Sequence, residues 1–153
     1  MNFDLPELTP EMPQGALCQV KVGDLKPTQN AVGFDEVNDK IARYSAKSKE
    51  DLRDYLLVHP VPVIIGNGGR FYVTDHHHLT NALWKTAEGE NAAGIETKNA
   101  RVVVIVQFNR ASLMGYPYKY FLNVLAVTAT LSAKSVANGN TMKVGWRLNG
   151  SAK

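Results

Sequence analysis

The chain has a single cysteine, Cys18, which excludes an internal disulfide and any zinc site built on cysteine pairs. It has no apolar run approaching the roughly 20 residues that a helix needs to cross a bilayer. Met1 to Gly15 is acidic and broken by Pro6, Pro10 and Pro13, and so offers neither the basic start nor the apolar stretch of a signal peptide. Charge of one sign is also scarce: 17 Lys and Arg stand against 14 Asp and Glu, for a net charge of +3 without long basic runs. That balance permits a nucleic-acid partner without demanding one. The expectation from these absences is a soluble, cytoplasmic protein with no membrane partner. Histidine is scarce as well, with four in the chain, yet three of the four are consecutive.

What is present suits one domain. The 153 residues are 44% hydrophobic, enough for a single core and too few for two full domains. The proline-spaced residues 1–14 read as an arm that lies on the domain or stays loose, and as a poor place for chemistry. Leu17 to Val22 alternates like a strand and is stopped by Gly23-Asp24 and Lys26-Pro27. Phe34, Val37, Ile41 and Tyr44 recur at helical steps. A second helix starts after Ser48, whose spacing to Asp51 resembles a capping box, buries Leu52, Tyr55 and Leu56, and stops at His59-Pro60.

The period then becomes two. Val61, Val63 and Ile65 form a strand, Gly66-Asn67-Gly68-Gly69 a turn, and Phe71 to Val73 the returning strand of a hairpin. Leu79, Ala82, Leu83 and Thr86 mark a helix running to about Ala87, and Trp84 within it reads as core. Gly89 to Thr97 is a polar loop, and Val102 to Val106 reads as a strand buried on both faces. Beyond it, Tyr120 to Leu131 suggests a helix and Asn138-Gly139 the turn of a terminal hairpin. The basic residues Lys40, Arg43, Lys47, Lys49 and Arg53 are interleaved with acids and read as a solvated helical face.

The chemistry concentrates at Thr74-Asp75-His76-His77-His78. A strand that ends at Val73 and a helix that opens near His76 leave backbone N–H groups without intrahelical partners, and these attract anions together with the helix dipole. Asp75 or Thr74 is the expected N-cap. Successive helical positions lie about 100° apart, so at most two of the three imidazoles point into one cleft. A lone histidine at a helix start usually caps or packs, but three in a row after Asp in a chain with four histidines argue for function. Metal binding by the cluster is the weaker reading, because consecutive histidines lack the four-residue spacing that puts two imidazoles on one face. Lys26 and Gln29 flank the first loop and are candidates to reach a phosphate. Arg70 is a candidate by charge alone, and Tyr116, Tyr118, Tyr120 and Phe121 fit a pocket rim or packing equally well.

The run Asp24-Leu25-Lys26-Pro27-Thr28-Gln29 with Val32-Gly33, then the hairpin, then Thr74-Asp75-His76-His77-His78-Leu79, resembles the ParB-like nuclease family of the ParB/sulfiredoxin superfamily over about residues 18 to 108. In that superfamily the turn after the hairpin meets nucleotide phosphates and carries Gly-Glu-Arg-Arg in CTP-binding partition proteins, Gly-Cys-His-Arg in sulfiredoxins and Asp-Gly-His-His-Arg in free-serine kinases. This chain is most similar to the last: Asp75 takes the Asp, His76 replaces the Gly, His77 and His78 take the histidines, and Leu79 stands where Arg would supply a bidentate phosphate ligand. The turn has no cysteine for sulfiredoxin chemistry. The kinases' glutamate base has Gln29 in its place, with Asp24, Asp35 and Glu36 nearby.

The resemblance implies an α+β fold, a single ParB/sulfiredoxin-like domain at residues 15–110 whose small mixed sheet has helices packed around it, with residues 111–153 as an extension. It implies phosphate chemistry, nuclease-like or phosphotransfer, with His77, His78 and Asp75 as catalytic residues and Thr74, His76, Lys26 and Gln29 contacting phosphate. The ligand is then a nucleotide (ATP, ADP or CTP) or another phosphorylated molecule, DNA included, with a divalent metal such as Mg²⁺ as helper. The alternative is a non-catalytic nucleotide- or DNA-binding module using the same site. Geometrically, Asp75 to His78 should open at least one imidazole to a cleft shared with the Lys26 to Gln29 loop.

Overall fold

The structure is a computed structural model that describes residues 1–29 and 32–110. The expected helix at Tyr120 to Leu131, the terminal hairpin and the aromatic group from Tyr116 to Phe121 lie outside the described residues. In chain order the elements are β1 (Leu17–Lys21), β2 (Leu25–Lys26), α1 (Phe34–Ala46), α2 (Lys49–Leu57), β3 (Val61–Ile65), β4 (Phe71–Val73), α3 (His77–Glu88) and β5 (Arg101–Asn109). Single 3-10 turns join β1 to β2 and β3 to β4. The five strands form one mixed sheet in the order β1-β5-β3-β4-β2, so the fold is α+β, as expected.

β5 is an interior strand, antiparallel to β1 and parallel to β3, and its valines 102, 103, 104 and 106 are buried as the uninterrupted apolar run required. Val63 pairs with Val106 but Ile64 pairs with Phe108, so Gln107 is an extra residue in β5. The hairpin of β3 and β4 is antiparallel, and Gly68 at φ 74° and Gly69 at φ 71° supply the left-handed conformations that its turn needs. β2 adds in parallel on the far side of β4.

The helices follow their patterns. Val37 and Tyr44 of α1 and Leu52 and Leu56 of α2 are buried. Ser48 caps α2 by accepting from Asp51 N–H at 3.1 Å, the expected start signal. α3 is the most buried helix, with Leu79, Ala82, Leu83, Trp84 and Ala87 in the core. It packs beside α1. The loop after it turns on Asn91, whose amide oxygen accepts from Ile95 N–H and whose Nδ2 donates to Thr86 O, Gly89 O and Ile95 O. Ile95 thereby drops into the core from a loop that reads as polar.

The proline-spaced first residues lie on the domain. Phe3 and Leu8 are buried, Leu8 N–H donates to Gln19 O, and Gln19 N–H donates to Pro6 O. This contact breaks the alternation expected of β1, where Cys18, Gln19 and Val20 are all buried. The Gln19 side chain is satisfied by Phe3 N–H, Asn2 Oδ1 and Leu5 O. Arg53 also departs from its expected solvated role, donating to Asn2 O at 2.9 Å and Asp4 Oδ2 at 3.1 Å. Among the described residues no helix is long and apolar enough to cross a membrane.

Candidate functional site

The junction between β4 and α3 falls where the apolar period changes from two to helical. β4 ends at Val73 and α3 begins at His77, leaving Thr74, Asp75 and His76 between them. The expected N-cap is corrected. The cap position is His76, in the left-handed conformation at φ 62° and ψ 32°, with no side-chain cap bond. Thr74 is spent on the sheet: its amide donates to Pro62 O, and its hydroxyl donates to Oε1 of the bulged Gln107 at 2.6 Å. Asp75 Oδ1 instead takes the next amide, that of His76, at 2.7 Å. The left-handed turn carries the chain away from the path on which either side chain would reach the first amides of α3.

The three imidazoles diverge, as their helical spacing requires. His77 points inward and is 2% exposed. Its Nε2 accepts from Thr28 N–H at 3.3 Å, and Thr28 Oγ1, 3.2 Å from the same nitrogen, donates to Val73 O at 2.5 Å. Burial lowers the His77 pKa from the ordinary 6.5 to about 4, against the raising influence of Asp75. This ring is therefore a neutral tie between the first loop and α3.

His78 and His76 line a cleft of about 260 Å³ with Asp75 and Leu79 on one side and Glu36, Lys40, Tyr55 and His59 on the other. His78 Nε2 lies 3.3 Å from Gly33 N–H and 3.3 Å from Glu36 Oε2. The neutral ring accepts from the glycine amide, and the protonated ring donates to the carboxylate, so Nε2 has a partner in either state. Glu36 Oε1 takes Lys40 Nζ at 3.2 Å, which puts a cation at the same rim.

The residues that line this cleft include none from Lys26 to Gln29. That loop is joined to the histidine turn through the buried Thr28 and His77 pair. Lys26 lies in register with Tyr72 at the sheet edge, where burial and the charge of Arg70 lower its pKa. The opposite wall comes from α1 and from the end of α2. Glu36 stood out in the sequence only as an acid near the first loop, and Lys40, Tyr55 and His59 were read as a solvated face, a core residue and a helix stop. One signal was available: His59 is the only histidine outside the triplet, and it lines the same cleft as His76 and His78.

The donor set does not fit a divalent ion held by the protein alone. Among the described residues no three His, Cys, Asp or Glu side chains converge as metal ligands. A whole nucleotide is not enclosed either, since sites that enclose small molecules are roughly 300–1,000 Å³.

A protein-family model described as "Putative ParB-like nuclease" matches residues 18–131, further along the chain than the motifs alone reach. No curated protein matches. The crystal structure of protein Atu1540 from Agrobacterium tumefaciens is similar at a TM-score of 0.50 and 28% identity, over 74% of this chain and 49% of that one. The chain thus spans about half the length of that relative.

Proposed function

The chain belongs to the ParB-like nuclease family, and from that premise we propose that it acts on phosphate esters at the cleft beside the start of α3. The observation that carries this reading is the junction itself: a helix N-terminus with no side-chain cap beside a cleft lined by two of the three consecutive imidazoles, the carboxylates of Glu36 and Asp75, and Lys40. The amides after Asp75 and the dipole of α3 receive the phosphate. Lys40 adds charge, and His76 donates from the rim.

His78 handles the proton, with Glu36 and Gly33 N–H holding its Nε2 in either state. Asp75 secures the turn through the His76 amide. His77 is a positioning residue in this scheme, tied to Thr28 and turned from the ligand. Thr74, Lys26 and Gln29 are not needed for it. The ligand class is a phosphodiester or the phosphate end of a nucleotide, with the base outside the cleft. Mg²⁺, where it takes part, arrives on the ligand's phosphates, and no step above runs through it.

Thermal unfolding with a panel of ligands tests the reading. Inorganic phosphate, AMP, ADP, ATP, CTP and a short DNA strand are each added with and without Mg²⁺. A ligand at 100 times its Kd stabilises by about 2.7 kcal/mol, which is several degrees in Tm. At least one phosphorylated ligand should raise Tm, and the rise should shrink in Lys40→Ala, while His78→Ala should keep the rise and lose any ester turnover. An unchanged Tm with every ligand at millimolar concentration contradicts the proposal. Binding without turnover of any ester leaves the non-catalytic module as the correct form of it.

A further inference from the structure

We infer that His59 is a proton-transfer residue of this cleft, acting through Nε2 from the wall opposite His78; this rests on the phosphate reading above. His59 follows α2 and is fixed on two sides. Its Nδ1 lies 2.7 Å from Tyr55 O. A carbonyl oxygen only accepts, so Nδ1 carries the hydrogen and the neutral ring keeps its lone pair on Nε2. Nε2 has no hydrogen-bond or ionic partner among the described residues.

The ring is also stacked on Tyr55, with centroids 4.2 Å apart and planes 24° from parallel. Tyr55 is itself held by the Tyr44 ring at 5.4 Å and by Lys47 Nζ, 5.7 Å from its centroid. An imidazole locked in one tautomer by a backbone carbonyl, with its second nitrogen uncommitted at a half-buried cleft, is the arrangement a general base requires. A residue serving only to end α2 needs neither the stack nor the cleft.

In hydrolysis of a diester, the water oxygen bonds to phosphorus while His59 Nε2 takes the water proton. The bond from phosphorus to the departing oxygen breaks, and that oxygen receives the proton of His78 Nε2, which Glu36 has held. One diester and one water give one monoester and one alcohol. His59 then loses its proton to solvent and His78 regains one. The titratable groups that line the cleft with His59 are Glu36 and Lys40 from α1, Asp75, His76 and His78 from the α3 junction, and Tyr55 from the helix that His59 follows.

The test uses the full chain with bis(p-nitrophenyl) phosphate as substrate and inorganic phosphate as binding probe. His59→Asn keeps an N–H donor for Tyr55 O but removes Nε2. It should lower kcat by about 100-fold or more, with KM within about twofold, and should abolish the rising limb of the pH profile. In the wild type, imidazole ¹⁵N spectra should show His59 protonated at Nδ1, with its Nε2 signal moved by phosphate. These spectra decide the matter if His59→Asn does not fold. An unchanged kcat in folded His59→Asn, a hydrogen on Nε2 in the neutral ring, or a wild type that binds phosphate at the α3 amides without turnover overturns the role of His59 and leaves the binding site standing. Failure of phosphate to perturb those amides overturns the site and His59's role together.

Discussion

At His76 the backbone holds a conformation that costs an L-residue about 1–2 kcal/mol and that glycine adopts freely. His76→Val adds β-branching to that cost, whereas His76→Gly removes it. By urea denaturation the valine variant should be about 2 kcal/mol less stable than the glycine variant, and equal stabilities would show that the residue is not left-handed. The glycine variant should meanwhile lose ligand affinity, since the imidazole at the rim is gone. His77 makes the opposite kind of statement. Its pKa is about 4 when folded against an ordinary 6.5, so between those values the unfolded chain binds more protons and stability falls as pH falls. The loss is absent above about pH 6.5, complete near pH 4 and on the order of 3 kcal/mol. Unfolding free energies at about pH 7.5 and 4.5 should differ by less in His77→Gln than in the wild type, and identical pH slopes in the two proteins would contradict a buried neutral ring.

Among the elements, α2 is short but sets one wall of the cleft, because Tyr55 belongs to it and His59 is hung from the Tyr55 carbonyl. Its start depends on one hydroxyl. Ser48→Ala should lower stability by about 1 kcal/mol, measured by chemical denaturation, and an effect below a few tenths would mean that the cap bond is not formed in solution. This cap was legible from Ser48 and Asp51, as were the hairpin from its glycines and β5 from its valines, because each signal is local. The cap of α3 was not legible. Asp75 and Thr74 are the residue types that cap helices, but Thr74 is claimed by Gln107, and Gln107 reaches it through a bulge that no local pattern announces.

For the whole molecule, the first residues are part of the core. Phe3 is 3% exposed, and its amide meets Gln19 of the edge strand. Phe3→Ala should cost about 3 kcal/mol or more within a single cooperative transition, and a cost under 1 kcal/mol would mean that this segment is detached in solution. The α3 turn is one continuous segment and could be found, but its facing wall comes from residues 36, 40, 55 and 59, which only the packing of α1 and α2 brings to it. The first loop is tied to the turn by the buried contact of Thr28 with His77 and, at its far end, by Gly33 N–H at His78 Nε2. Phosphate binding where α3 begins can be followed by an amide NMR titration with inorganic phosphate. Saturable shifts are expected at the His77, His78 and Leu79 amides and at cleft residues Glu36 and His59, while the Lys26 amide stays still; shifts centred on Lys26 and Arg70 instead, or none at millimolar phosphate, would overturn the site.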